Sequence, residues 1–131
     1  MKKIILVVMM MVVFGGACHA YTFDKWTKED TTHQLLFTGL TVMDWVQTNE
    51  IVRTERRENN PILGERPSHL QVNTLIPMGI VAHAFVSYLL PTNVKVLGCN
   101  LNPRRLWQCT FIVVEANAVN RNIKSGISIS W

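Results

Sequence analysis

The sequence predicts an all-α fold: a small bundle of three helices of membrane-spanning length behind an N-terminal signal segment. Three observations carry this prediction. Hydrophobic residues make up 48% of the 131-residue chain and charged residues 17%, a high ratio for a soluble protein. Three long apolar stretches follow one another, and each begins at a helix-capping signal. Finally, the first two stretches are separated by a short, densely charged segment, "ERRENNPILGERPS", stiffened by two prolines.

The first element is the N-terminus, "MKKIILVVMMMVVFGGACHA". Two lysines precede an uncharged apolar run from Ile4 to Ala17 and then small residues, which is the form of a secretory signal. Residues 1–20 are therefore expected to be a signal peptide cleaved after Ala20, leaving 21–131 as the helical domain. Lipidation at Cys18 and retention as an anchor are the alternatives. All three place residue 21 beyond the inner membrane.

The first helix, about 28–53, starts in "WTKED": Thr27 can cap, with Asp30 three residues on and Trp26 as a staple. The second, about 69–90, starts at Ser68 with Gln71 as its capping-box partner and stops before Pro91. The third, about 103–122, starts at "NPRR", with Asn102 as cap and Pro103 at the first helical position. The middle helix is the clearest span, because from Leu70 to Leu90 only His83 is ionisable. The outer two carry Asp44 and Glu115, with Gln108, Asn117 and Asn120 on the third. A lone acid at the centre of a span costs about 2.5–3.5 kcal/mol. Those helices must therefore turn their polar groups toward each other.

Asp44, His83, Glu115, Asn117 and Asn120 are thus expected as a buried polar cluster that holds the helices together by interhelical hydrogen bonds. The functional alternative makes Asp44, His83 and Glu115 an ion-handling or three-ligand metal site. Alternating chain direction argues against it, since His83 falls on the other side of the midplane from the two acids. A third alternative is a soluble or lipid-anchored periplasmic helical domain with the middle helix as its core.

The loop motif, Glu58, Asn60, Pro61, Gly64, Pro67 and Ser68, reads as a compact turn. Arg53, Arg56 and Arg57 beside it suit a cytoplasmic, positive-inside position, which fixes the mature N-terminus on the periplasmic side of the inner membrane. Residues 54–67 are a candidate surface for a protein partner. Cys99 and Cys109 lie on or near the oxidising side, and a disulfide between them is expected. The C-terminal "GISISW" reads as an interfacial tail, because the repeated strands of a barrel are missing elsewhere.

Several function classes are excluded by composition. The net charge of +4 is scattered and mixed with acids, which is not a nucleic-acid footprint. The sequence has no Gly-rich phosphate loop, paired CxxC, HExxH or GxSxG. No catalytic residue, cofactor or resident metal is expected.

The segments "DWVQT", "ENNPILGERPS", "AHAFVSYLLP" and "WQCTFIVVEANAVNRN" resemble a family of small uncharacterised bacterial and phage helical membrane proteins. The resemblance spans roughly residues 26–128 and is most specific in the loop. It implies a helical, membrane-associated protein and carries no activity or catalytic residue. The expected function is a non-enzymatic inner-membrane protein with an interaction or structural role, in a phage-encoded envelope or lysis setting.

Overall fold

The computed structural model describes residues 24–56, 58, 62–96 and 98–127. The expected signal peptide and Cys18 lie outside these residues, as do Asn60, Pro61 and the end of the C-terminal tail. The chain is mostly helical, with α1 over Lys28–Arg53, α2 over His69–Leu89 and α3 over Pro103–Lys124. Between α2 and α3 lies a two-stranded antiparallel hairpin, β1 over Val94–Val96 and β2 over Cys99–Leu101.

Each helix begins where its side chains can satisfy otherwise unpaired backbone amides. Thr27 Oγ1 accepts from the Asp30 amide at 3.1 Å, and Asp30 Oδ2 accepts from the Thr27 amide at 2.9 Å. Ser68 and Gln71 repeat this reciprocal arrangement at the start of α2, at 3.2 and 2.8 Å. Asn102 Oδ1 accepts from the Arg105 amide at 2.9 Å, with Pro103 directly after it. Trp26 does not act as a simple staple: its indole N–H donates to Thr31 Oγ1 at 2.9 Å.

The helices run alternately along one bundle. The start of α1 meets the end of α2 and the start of α3, as the Gln34–His83 and Asp30–Arg104 pairs show. The other end of α1 meets the start of α2, through Trp45 and Asn49 to Asn73, and the end of α3, through Asp44 to Asn122. At 26, 21 and 22 residues, the helices are about 39, 32 and 33 Å long, against about 30 Å of bilayer hydrocarbon. Length alone would let each of them span.

Composition separates them. Among the described residues only α2 is both long and apolar enough to cross a membrane. The prediction of three comparable spans therefore holds by length and not by composition, because α1 and α3 each carry a polar stripe. That stripe faces inward. Asp44, Gln47 and Thr48 of α1, His83 and Ser87 of α2, and Arg104 and Gln108 of α3 are all buried. Large apolar residues point outward, including Leu35 at 67% exposure, Val81 at 70% and Leu70 at 77%. Among the described residues, Leu63, Val72 and Ile76 form a small apolar cluster with Trp45 and Val52 against it.

The loop after α1 forms part of this packing. Leu63, Pro67 and Glu58 are buried, and the Glu58 amide donates to the Glu65 carbonyl at 3.0 Å. Gly64 turns the chain at φ 80°, a conformation that glycine adopts without a Cβ penalty. Glu58, Leu63 and Pro67 thus turn inward, while Ile62, Glu65 and Arg66 stay exposed.

Candidate functional site

The polar interior forms three levels along the bundle. At the α1 start, Arg104 is fully buried. Its guanidinium donates to the carbonyls of Leu90 at 3.0 Å, Lys25 at 3.2 Å, Asp24 at 3.0 Å and Tyr88 at 3.4 Å. It also donates to Asp30 Oδ2 at 3.1 Å and lies 5.8 Å from the centre of the Trp26 ring. Leu90 and Tyr88 supply carbonyls from the end of α2, which have no partner within their own helix. One side chain therefore ties all three helices together. Beside it, Arg105 pairs with Glu29, and the Thr92 hydroxyl and amide both donate to Asp24 Oδ2 at 2.6 Å. Those two bonds hold the Asp24 carboxyl below the ordinary carboxylate range.

The second level is built around His83. Its ring stacks on Phe37, with centroids 3.8 Å apart, and lies 5.8 Å from Trp107 on a nearly parallel plane. Phe111 meets it edge-on at 5.5 Å. Nδ1 of His83 is 2.9 Å from Gln34 Oε1, while the Gln34 amide nitrogen lies 3.4 Å from Thr38 Oγ1. Nε2 is buried with no partner among the described residues.

The third level centres on Asp44. The Asn122 side-chain amide donates to Asp44 Oδ1 at 2.9 Å and to Gln47 Oε1 at 3.2 Å. Glu58, from the loop, and Glu115, from α3, are within electrostatic reach of Asp44. A cleft of about 290 Å³ joins the second and third levels, and Asp44, His83 and Glu115 all line it, together with Ile62 and Leu63 of the loop.

Against the sequence-predicted cluster, Asp44 and His83 are buried and Glu115 is half-buried on the same cleft. Asn117 and Asn120 are not in the interior; both are exposed. The helical period explains the correction. Asn122 is seven residues beyond Glu115, on the same face, while Asn117 and Asn120 rotate away from it. The asparagine that joins the cluster is therefore Asn122.

Asp44, His83 and Glu115 share the cleft without converging. Among the described residues no group of three His, Cys, Asp or Glu side chains could hold a metal ion. Asp44 lies seven residues beyond Phe37, the His83 stacking partner, which is roughly 10 Å along the axis. The expected disulfide is also corrected: Cys99 and Cys109 are free and exposed. Cys99 opens β2 and Cys109 lies within α3.

In the loop motif, Ser68 is the α2 cap, Gly64 makes the turn, and Pro67 and Glu58 are buried. Arg104 is the site residue that the sequence reading does not single out. Its signal is spacing: Arg104, Gln108, Phe111, Glu115 and Asn122 form one stripe at three-, four- and seven-residue steps. No protein-family model, curated protein or solved structure matches the chain.

Proposed function

We propose that this chain is a membrane-embedded three-helix protein with a structural or interaction role, resident in the inner membrane with its mature N-terminus outside. The single observation carrying this reading is the inverted placement of polarity. Only 22% of the most apolar 18-residue stretch of α2 is buried. The core helix of a soluble bundle would be enclosed. On α1 and α3 the exposed residues include Leu36, Met43, Leu106, Val113 and Val114, while Asp44 and Gln108 are turned inside. Lipid is the solvent that stabilises such a surface, and interhelical hydrogen bonds are the contacts that hold such a bundle together.

Orientation follows from Arg53, Arg56 and Arg57 at the end of α1. The loop resemblance to small bacterial and phage membrane proteins agrees with an envelope setting and supplies no activity. No enzyme chemistry is assigned, and the loop of residues 54–67 remains the proposed partner surface. Carbonate washing of isolated membranes tests the embedding. Retention in the pellet is expected, and release into the wash would overturn it. A cytoplasm-active reporter inserted at Gly64 and a periplasm-active one at Gly98 should both be functional; the reverse pattern would overturn the orientation.

A further inference from the structure

The cleft between the helices has a chemistry that a purely structural bundle does not need. Its aromatic wall consists of Phe37, Trp107 and Phe111 around His83. Its polar groups are Asp44, Glu115 and His83. The Gln34 amide nitrogen faces Thr38, so Gln34 presents its oxygen to Nδ1 of His83. Nδ1 therefore carries the proton and Nε2 is an acceptor. His83 is 3% exposed and lines the cleft, and Nε2 has no hydrogen-bond donor among the described residues. Neither Asp44 nor Glu115 forms an ion pair with a described lysine or arginine. The exposed Arg121 acts on Asp44 at longer range.

The polar groups are thus set into an apolar, aromatic trough. Glu115 lies one helical turn beyond Phe111, whose ring touches His83, and is within electrostatic reach of Asp44. We propose that this cleft binds a compact lipophilic primary amine. Its ammonium group sits at Glu115, which lies along the cleft between His83 and Asp44, and its apolar body lies against Phe37, Trp107 and Phe111. A primary ammonium offers N–H donors and a positive charge to the Glu115 carboxylate, with the second acid, Asp44, within electrostatic reach. A quaternary ammonium would leave the acceptors unpaired, and the separated donors do not suit a metal. At about 290 Å³ the cleft is at the small end for ligand sites, which sets the compactness of the ligand. This binding goes beyond the structural role and does not depend on it.

The test is calorimetric titration of the full chain in detergent micelles with 1-adamantylamine, using protein-free micelles as the blank. The uncharged isostere 1-adamantanol is titrated in parallel. Saturable one-to-one binding of the amine is expected, at least tenfold tighter than that of the alcohol. The double variant Asp44→Asn, Glu115→Gln should weaken amine binding at least tenfold. Gly79→Leu provides a second route, because Gly79 lines the cleft and an added Cβ there meets nothing within 4 Å. It should fill the cleft, abolish binding and keep the helical circular-dichroism spectrum. If the double variant loses its fold, Gly79→Leu decides. Absence of saturable binding above the blank, equal binding of amine and alcohol, or undiminished binding in Gly79→Leu would each overturn the proposal.

Discussion

The two ends of the polar interior are built on opposite terms. Around Arg104 the guanidinium is matched: five acceptors surround it, and Asp30 serves both that cation and its own helix cap, while Nε of the neighbouring Arg105 is buried with no partner among the described residues. Further along the bundle, His83 Nε2, Trp107 Nε1, Thr48 Oγ1 and both amide atoms of Gln108 are buried with no partner among the described residues. Satisfied buried groups fix geometry, whereas unsatisfied ones raise the energy of the folded state by about 1–3 kcal/mol each. The Arg104 end is therefore the fastener of the fold. The cleft end is the part with binding capacity left over.

Replacing residues at the two ends should separate them sharply. The largest effect is expected from Arg104→Met, which strands Asp30 and the carbonyls at the end of α2. Breaking a buried ion pair from one side costs about 3–5 kcal/mol. Thermal unfolding in detergent should show a large loss, and Arg104→Lys should recover only part of it, because an ammonium cannot reproduce the guanidinium fork. If Arg104→Met unfolds like the native chain, the fastener role is wrong.

An intermediate effect belongs to Asp44. Asp44→Leu leaves the Asn122 amide without its Asp44 acceptor and should cost about 1–3 kcal/mol, seen as a lower folded yield. Asp44→Asn keeps an acceptor oxygen there and should be tolerated at normal abundance. Equal damage from both would show that charge, not hydrogen bonding, matters at this position.

A smaller change, in the opposite direction, is expected at Gln108. Leucine there removes two unpartnered buried polar atoms and should be neutral or stabilising by about 1 kcal/mol. A clear loss of stability would blur the contrast between the two regions.

The smallest effect concerns acid sensitivity at the fastener end. Hydrogen bonds from Thr92 lower the folded-state pKa of Asp24. A depressed carboxylate contributes stability that is present above its unfolded value of about 3.9 and lost as pH falls through the folded value. Asp24→Asn should therefore melt slightly below the native chain at neutral pH, and the gap should close below about pH 4. A gap that widens on acidification would reverse the assignment.

How much of this was legible in the sequence depends on the range of the interaction. The caps at Thr27, Ser68 and Asn102 are local signals, with both partners within three residues, so the helix starts could be read directly. The apolar run of α2 is equally local. The role of Arg104 was hidden because most of its acceptors lie 74 to 80 or 14 to 16 residues away. Asn117 and Asn120 are polar but lie off the face that carries Arg104, Gln108, Glu115 and Asn122, so polarity alone does not place them. The hairpin of Val94–Val96 and Cys99–Leu101 is too short for a periodic pattern, and its one clear mark is Gly98 at φ 83°. The inward fold of Glu58 and Leu63 has no periodic signal either, because loop conformation follows turn chemistry and docking.

The proposed embedding requires that the exposed apolar residues of all three helices face lipid. Spin labels placed singly at Leu36, Met78 and Val113, in a chain with its cysteines replaced by serine, test it in reconstituted bilayers. All three residues are exposed. The account predicts that molecular oxygen relaxes these labels strongly while a water-soluble nickel chelate does not. Strong relaxation by the chelate at all three positions would show that water covers those faces and would contradict the account.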